Sequence, residues 1–194
     1  GGRDARAAAI EKDGLAAILP APPGSGKSTL CAALVHRGWR LLSDEMAILC
    51  MKTGKVIPVA RPISLKNESI DVIRGYVDGA TFSAPAHDTV KGTVALLKAP
   101  KESVRRAGEP ATPAWVIVPK FVRGAAATLT PKSRAETFIE LGQNAFNYSI
   151  HGAKGFRLLA QVMDGCDCFQ FQYSRLDEAI AAFATLRPRP TLAH

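Results

Sequence analysis

Residues Ala21-Pro22-Pro23-Gly24-Ser25-Gly26-Lys27-Ser28-Thr29 put two glycines, a lysine and adjacent hydroxyls in one short run. A glycine-rich turn between a strand and a helix points backbone N–H groups at a phosphate, and the helix N-terminus adds a partial positive charge. Lys27 would reach the outer phosphates and the Ser28 hydroxyl would be a magnesium ligand, with Pro23, Gly24, Ser25, Gly26 and Thr29 completing the cradle. The strict pattern opens on glycine; Ala21 stands there and is small enough to be tolerated. Asp44 and Glu45 come soon after, behind a short apolar stretch. One acid could hold magnesium through water, and the other could orient or deprotonate a hydroxyl that receives a phosphoryl group. The chemistry these residues predict is magnesium-dependent phosphoryl transfer from ATP, or from another donor such as ADP, GTP or pyrophosphate.

The flanking sequence supplies the elements that such a site needs. Leu15–Pro20 is an apolar run bounded by Gly14 and the Pro22-Pro23 pair, and predicts a buried strand. Lys27–His36 carries helical apolar spacing, and Gly38 falls where a helix end takes a left-handed residue. Trp39–Leu42 predicts a second strand that ends at the acids. The short interval then makes strand, loop, helix and acid-bearing strand consecutive neighbours, with acids and loop at one sheet edge, where open α/β sheets bind ligands. Met46–Cys50 and Lys55–Val59 flank Lys52-Thr53-Gly54 as a hairpin. Further on, 69–74, 131–146, 155–162 and 176–186 predict helices, and 93–97, 115–118, 126–129 and 168–173 strands. In 61–69, Arg61, Ser64 and Lys66 fit either a strand facing phosphate or substrate, or a structural strand with solvated charges.

Composition narrows the class. The chain has 194 residues, 47% apolar and 22% charged, which fits one α/β domain over 1–186 with a C-terminal tail, 187–194, expected to fray around Pro188 and Pro190. No apolar run is long enough to span a membrane, and no signal peptide opens the chain. The start at Gly1-Gly2-Arg3 leads to the expectation that upstream sequence has been removed or is missing. A net charge of +8 favours an anionic partner, but the basic residues are scattered and no nucleic-acid motif appears. Cys31, Cys50, Cys166 and Cys168 form no C-x-x-C pair, so reduced thiols, a cytoplasmic setting and no zinc site are expected.

The run from Lys27 through Arg37-Gly38-Trp39-Arg40-Leu41-Leu42-Ser43-Asp44-Glu45 resembles the HPr kinase/phosphorylase family, of the superfamily that also holds PEP carboxykinases. Arg61–Ser69, His87–Thr93 and Asn144-Ala145-Phe146-Asn147-Tyr148 resemble more narrowly the group named HprK-related kinase A, over roughly 5–186. The resemblance implies a mixed sheet with flanking helices and a nucleotide site at Gly24, Gly26, Lys27 and Ser28. It matches Asp44-Glu45 to the family's acid pair, making Glu45 the proton acceptor and Asp44 the metal-side acid. It matches Pro131-Lys132-Ser133-Arg134 to a phosphate loop, with Arg134 as a phosphate clamp or simply a surface arginine. It puts Arg6 where the family has a catalytic histidine, which argues against phosphorylase activity. It leaves Asp88 as a stand-in for an absent metal glutamate, and it implies a homo-oligomer.

The leading expectation is therefore a kinase acting on a hydroxyl of a protein serine or a small molecule. Two others stand beside it. One is a catalytically silent nucleotide-binding partner module. The other is a small-metabolite kinase of shikimate-kinase type, for which Arg105-Arg106 and Arg123 would furnish a lid.

Overall fold

The computed structural model describes residues 7–144 and 148–189. In chain order the strands are β1 (Ala7–Lys12), β2 (Leu15–Pro20), β3 (Arg40–Ser43), β4 (Ile48–Leu49), β5 (Val56–Ile57), β6 (Ile63–Lys66), β7 (Ala86–Thr89), β8 (Gly92–Leu97), β9 (Thr112–Phe121), β10 (Thr128–Pro131) and β11 (Asp167–Tyr173). The helices are α1 (Lys27–Val35), α2 (Glu68–Tyr76), α3 (Lys101–Arg105), α4 (Arg134–Asn144), α5 (Tyr148–Asp164) and α6 (Leu176–Ala184).

A six-stranded mixed sheet, in the order β10-β11-β9-β2-β1-β3, forms the centre. Strands β11, β9 and β2 run parallel, while β1 is antiparallel to both of its neighbours, β2 and β3. Strand β3 therefore runs with β2, and both end at the same edge. Buried on both faces, residues 7–10 of β1 and Leu15–Pro20 of β2 read as unbroken apolar runs rather than alternating ones. Ala8, Ile10, Ala17 and Leu19 pack under α1, α2 and α6. Ala7, Ala9, Ala16 and Ile18 pack on the other face, with residues of α4, α5 and β5. A three-stranded sheet, β6-β8-β7, adds Ile63, Leu65, Ala95 and Leu97 to the α1 side of the core.

The architecture is α/β, a mixed sheet flanked by helices, as expected. Leu15–Pro20, the α1 segment and the β4–β5 hairpin sit where the sequence puts them, and Gly38 takes φ 98°. Three differences carry physical reasons. The strands β2 and β3 are not adjacent: β1 is inserted between them, because Ala7–Lys12 folds back on β2 through the tight turn at Asp13-Gly14. Pro131 ends β10 instead of starting a helix; its missing N–H is tolerated at an edge strand. The tail does not fray over 187–189, since Arg189 donates to Asp167 Oδ1 (2.5 Å) and to the Asp164 and Cys166 carbonyls (both 3.1 Å). Among the described residues, no helix is long and apolar enough to cross a membrane.

Candidate functional site

The loop between β2 and α1 is shaped by two glycines, Gly24 and Gly26, each at φ 83°. Gly26 cannot be replaced sterically: a Cβ there would meet the Tyr173 hydroxyl at 2.6 Å and Phe121 Cβ at 3.1 Å. The loop's carbonyls are turned towards the sheet and tied down. Ser25 O accepts from the Phe121 amide (3.0 Å), and Gly26 O accepts from the Leu30 amide (3.0 Å) and the Tyr173 hydroxyl (2.9 Å). The first amides of α1 have no acceptor within their own helix, so the loop presents donors at its mouth. The Ser25 hydroxyl is buried with no hydrogen-bond partner, a donor in want of an acceptor.

The acids reach this loop through β3. Ala9 pairs with Ser43 but Ile10 with Leu41, so Leu42 is an extra residue on the β3 side. Such a bulge bends a strand and re-aims the side chains beyond it. Asp44, only 4% exposed, is one of these. Lys27, 8% exposed, donates from Nζ to the Asp44 carbonyl at 3.1 Å. The Ser64 amide donates to Asp44 Oδ2 at 3.1 Å, while Oδ1 is buried without a partner. Burial pushes the Asp44 carboxyl above its ordinary range; Lys27, the Ser64 amide and the Ser28 hydroxyl oppose that shift and Glu45 adds to it. Glu45 is exposed on the same cleft.

An orphaned buried carboxylate oxygen beside a serine hydroxyl fits magnesium. That ion needs only one or two protein carboxylates when phosphate oxygens and water fill the other positions. Ser28 and Asp44 would hold it. Among the described residues, no cluster of three or more His, Cys, Asp or Glu offers an alternative metal cage.

The cleft has a volume of about 540 Å³. Its polar part joins the loop and the acids to Ser64, Lys66, Asn67, Glu68 and Ser69 on β6 and α2, so β6 does face the site. Its apolar part is Phe121, 47% exposed at the end of β9, with Val72 and Leu176. Sequence reasoning missed Phe121 and Tyr173 here. An aromatic closing each of two parallel strands was the available signal, and it becomes meaningful only once β9 is known to lie beside β2 and β11 beside β9.

Other predicted residues lie elsewhere. Arg134 is not in the cleft. Because β10 runs antiparallel to β11, with Pro131 opposite Phe169, α4 starts at the other edge of the sheet, where Arg134 lies near Cys166 and Cys168. Arg105 and Arg106 are also at the far edge, paired with Glu102 (2.6 Å) and Glu109 (2.7 Å), so they form no lid. Arg123 and Asp88 are exposed and do not line the cleft, and the His87 ring faces Thr93. Arg6, Phe146, Asn147 and Pro190 lie outside the described residues.

The placement of Asp44 has a measurable consequence. A carboxyl whose folded pKa is raised destabilises the fold once pH exceeds its unfolded value, because the unfolded chain ionises more readily. Asp44→Asn is therefore expected to raise the melting temperature at neutral pH, with the gain fading as pH falls to about 3, where Asp44 is protonated in both states. Thermal melts across pH check the effect.

No protein-family model matches the chain, and no curated protein matches it at a significant level.

Proposed function

We propose that this protein is a magnesium- and nucleotide-dependent kinase that transfers a phosphoryl group to a hydroxyl, in the manner of the HPr-kinase-like proteins its sequence resembles. One observation carries the reading: the buried, unpartnered Asp44 Oδ1 shares a cleft with the Gly24–Thr29 loop, Lys27, Ser28 and Glu45. A solely structural aspartate would have both oxygens satisfied.

In this reading the loop amides and Lys27 hold the donor's phosphates, while Ser28 and Asp44 hold the magnesium ion. When bound, that ion neutralises charge on the phosphate oxygens. The exposed Glu45, at the cleft, receives the proton of the attacking hydroxyl. The apolar shelf of Phe121, Val72 and Leu176 supports a donor with a base, ATP ahead of pyrophosphate.

The test is calorimetric titration with ATP, ADP and pyrophosphate, with and without magnesium, and then a phosphoryl-transfer screen over protein and small-molecule hydroxyls. Magnesium-dependent ATP binding with transfer supports the kinase; tight binding with neither transfer nor hydrolysis replaces it with a silent partner module. Glu45→Gln is expected to leave the ATP dissociation constant unchanged and to cut transfer by about 10²- to 10⁴-fold, the usual contribution of a general base. Retained transfer would remove Glu45 from that role.

A further inference from the structure

Building on the kinase reading, we propose that Lys66 is the cation that meets the phosphoryl group during transfer. Lys27 and Lys66 are the two cationic side chains among the described residues that line the cleft. Lys27 belongs to the phosphate loop and is drawn to the Asp44 carbonyl. In a loose transition state, charge spreads over the equatorial oxygens of the group in flight, and a second cation is needed there. Arg134, expected in that role, stands at the opposite sheet edge.

The wall that carries Lys66 is fixed to the acid it would work beside. Two residues earlier on the same strand, the Ser64 amide holds Asp44 Oδ2. Residues two apart on a strand share a face, so this bond sets the approach of Lys66 as well. The backbone of Lys66 is bracketed by one hydroxyl: its amide donates to Ser69 Oγ (2.9 Å), and Ser69 Oγ donates to its carbonyl (2.5 Å).

The next residue, Asn67, is held at φ 49°, ψ −129°, a conformation that costs free energy for any residue but glycine. It is pinned from both sides. Its amide donates to Thr93 O (2.9 Å), and Asn67 Oδ1 accepts from the Thr93 amide (3.1 Å). Gly92 makes room, since a Cβ there would lie 2.5 Å from Asn67 Oδ1. Strain maintained this firmly in the turn after a cleft lysine is the behaviour of a functional wall.

The step balances without an added reactant. The acceptor oxygen forms a bond to phosphorus and the bond from phosphorus to the leaving oxygen breaks, its electron pair staying with the diphosphate. The hydroxyl proton goes to Glu45, and Lys66 stays protonated throughout.

The test uses the whole chain with ADP, magnesium and fluoroaluminate, a planar mimic of the group in flight, and so needs no acceptor. Wild type is expected to bind ADP more tightly with fluoroaluminate than without it. Lys66→Met should keep the ADP dissociation constant within about threefold and lose at least about tenfold of the fluoroaluminate gain. Lys66→Arg should recover part of that gain, and Arg61→Ala, an exposed cation off the cleft, should keep all of it. If Lys66→Met fails to fold, Lys66→Gln serves for the same comparison. A gain preserved without the Lys66 ammonium overturns the proposal, as does a wild type that binds ADP with no gain. Failure of the wild type to bind ADP or pyrophosphate at all overturns the parent reading instead.

Discussion

Lys27→Ala is expected to weaken magnesium–ATP binding by at least about a hundredfold and to abolish transfer. Two unit charges at 4 Å are worth about 4 kcal/mol at the effective dielectric of a site near a protein surface, and each 1.4 kcal/mol is about tenfold in affinity. Some of that is spent on desolvation, and a hundredfold remains a conservative loss. Lys27 is buried, 8% exposed as a residue, and its ammonium donates to a main-chain carbonyl, so the donor's phosphates would meet a charge already partly stripped of water. Lys27→Ala should still fold, because Leu30, Leu34 and Val35 hold α1 against the sheet, but should lose some melting temperature because the buried Asp44 carboxylate loses a nearby cation. Calorimetry with ATP and with pyrophosphate reads the result. Equal losses for both ligands place Lys27 on the phosphates, whereas unchanged affinity would end the nucleotide-site assignment.

The parts of this site that were legible in the sequence are those encoded within a few consecutive residues. Gly24-Ser25-Gly26-Lys27-Ser28 defines its own backbone, since its two glycines supply the positive φ the turn takes, and the loop needs only a strand before it and a helix after it. Asp44 and Glu45 were legible because a strand coming directly after α1 returns to the same edge. The insertion of β1 between β2 and β3 was not, because Ala7-Ala8-Ala9 has neither alternation nor branched side chains to mark a strand. Nor was the extra residue at Leu42, which depends on pairing with a strand more than thirty positions earlier. That bulge decides where Asp44 points.

Arg134 and Lys66 show the same limit from two sides. A local likeness around Pro131–Arg134 carried an arginine into the site, but the direction of β10 in the sheet took it to the other edge. Lys66 was ambiguous in sequence, where a cation on an alternating strand is most often solvated. Its place in the cleft comes from two contacts across the chain, Ser64 with Asp44 and Asn67 with Thr93. Neither of these is a local pattern. Position in a site is a property of topology, and topology is where single-chain inference is weakest.

Arg40→Ala is expected to have the largest effect on stability, and it acts on the site from the far edge. Arg40 is buried and bonds Glu11 Oε2 through Nε, the Arg106 carbonyl through NH1 (2.6 Å) and the Glu109 carbonyl through NH2 (2.9 Å). Glu11, 1% exposed, is also bonded by the Gly14 amide (2.6 Å) and has Arg106 at 3.6 Å. Removing Arg40 leaves a buried carboxylate with only the more distant Arg106 for a cation, and strands two carbonyls. Breaking a buried pair by deleting one partner costs about 3–5 kcal/mol. Against a total stability of roughly 5–15 kcal/mol, that is a large share, and at about 2–4 °C per kcal/mol the melting temperature should fall by about 6–20 °C. The double variant Glu11→Gln with Arg40→Met should recover much of the loss, because it removes both charges together. A double variant no better than Arg40→Ala would show that the geometry matters more than the charge. The network also sets the register of β3 against β1, pairing Glu11 with Arg40 just before the bulge that turns Asp44 into the cleft. Arg40→Ala should therefore weaken magnesium-dependent ATP binding even below its melting transition, although Arg40 touches none of the residues that would hold the ligand.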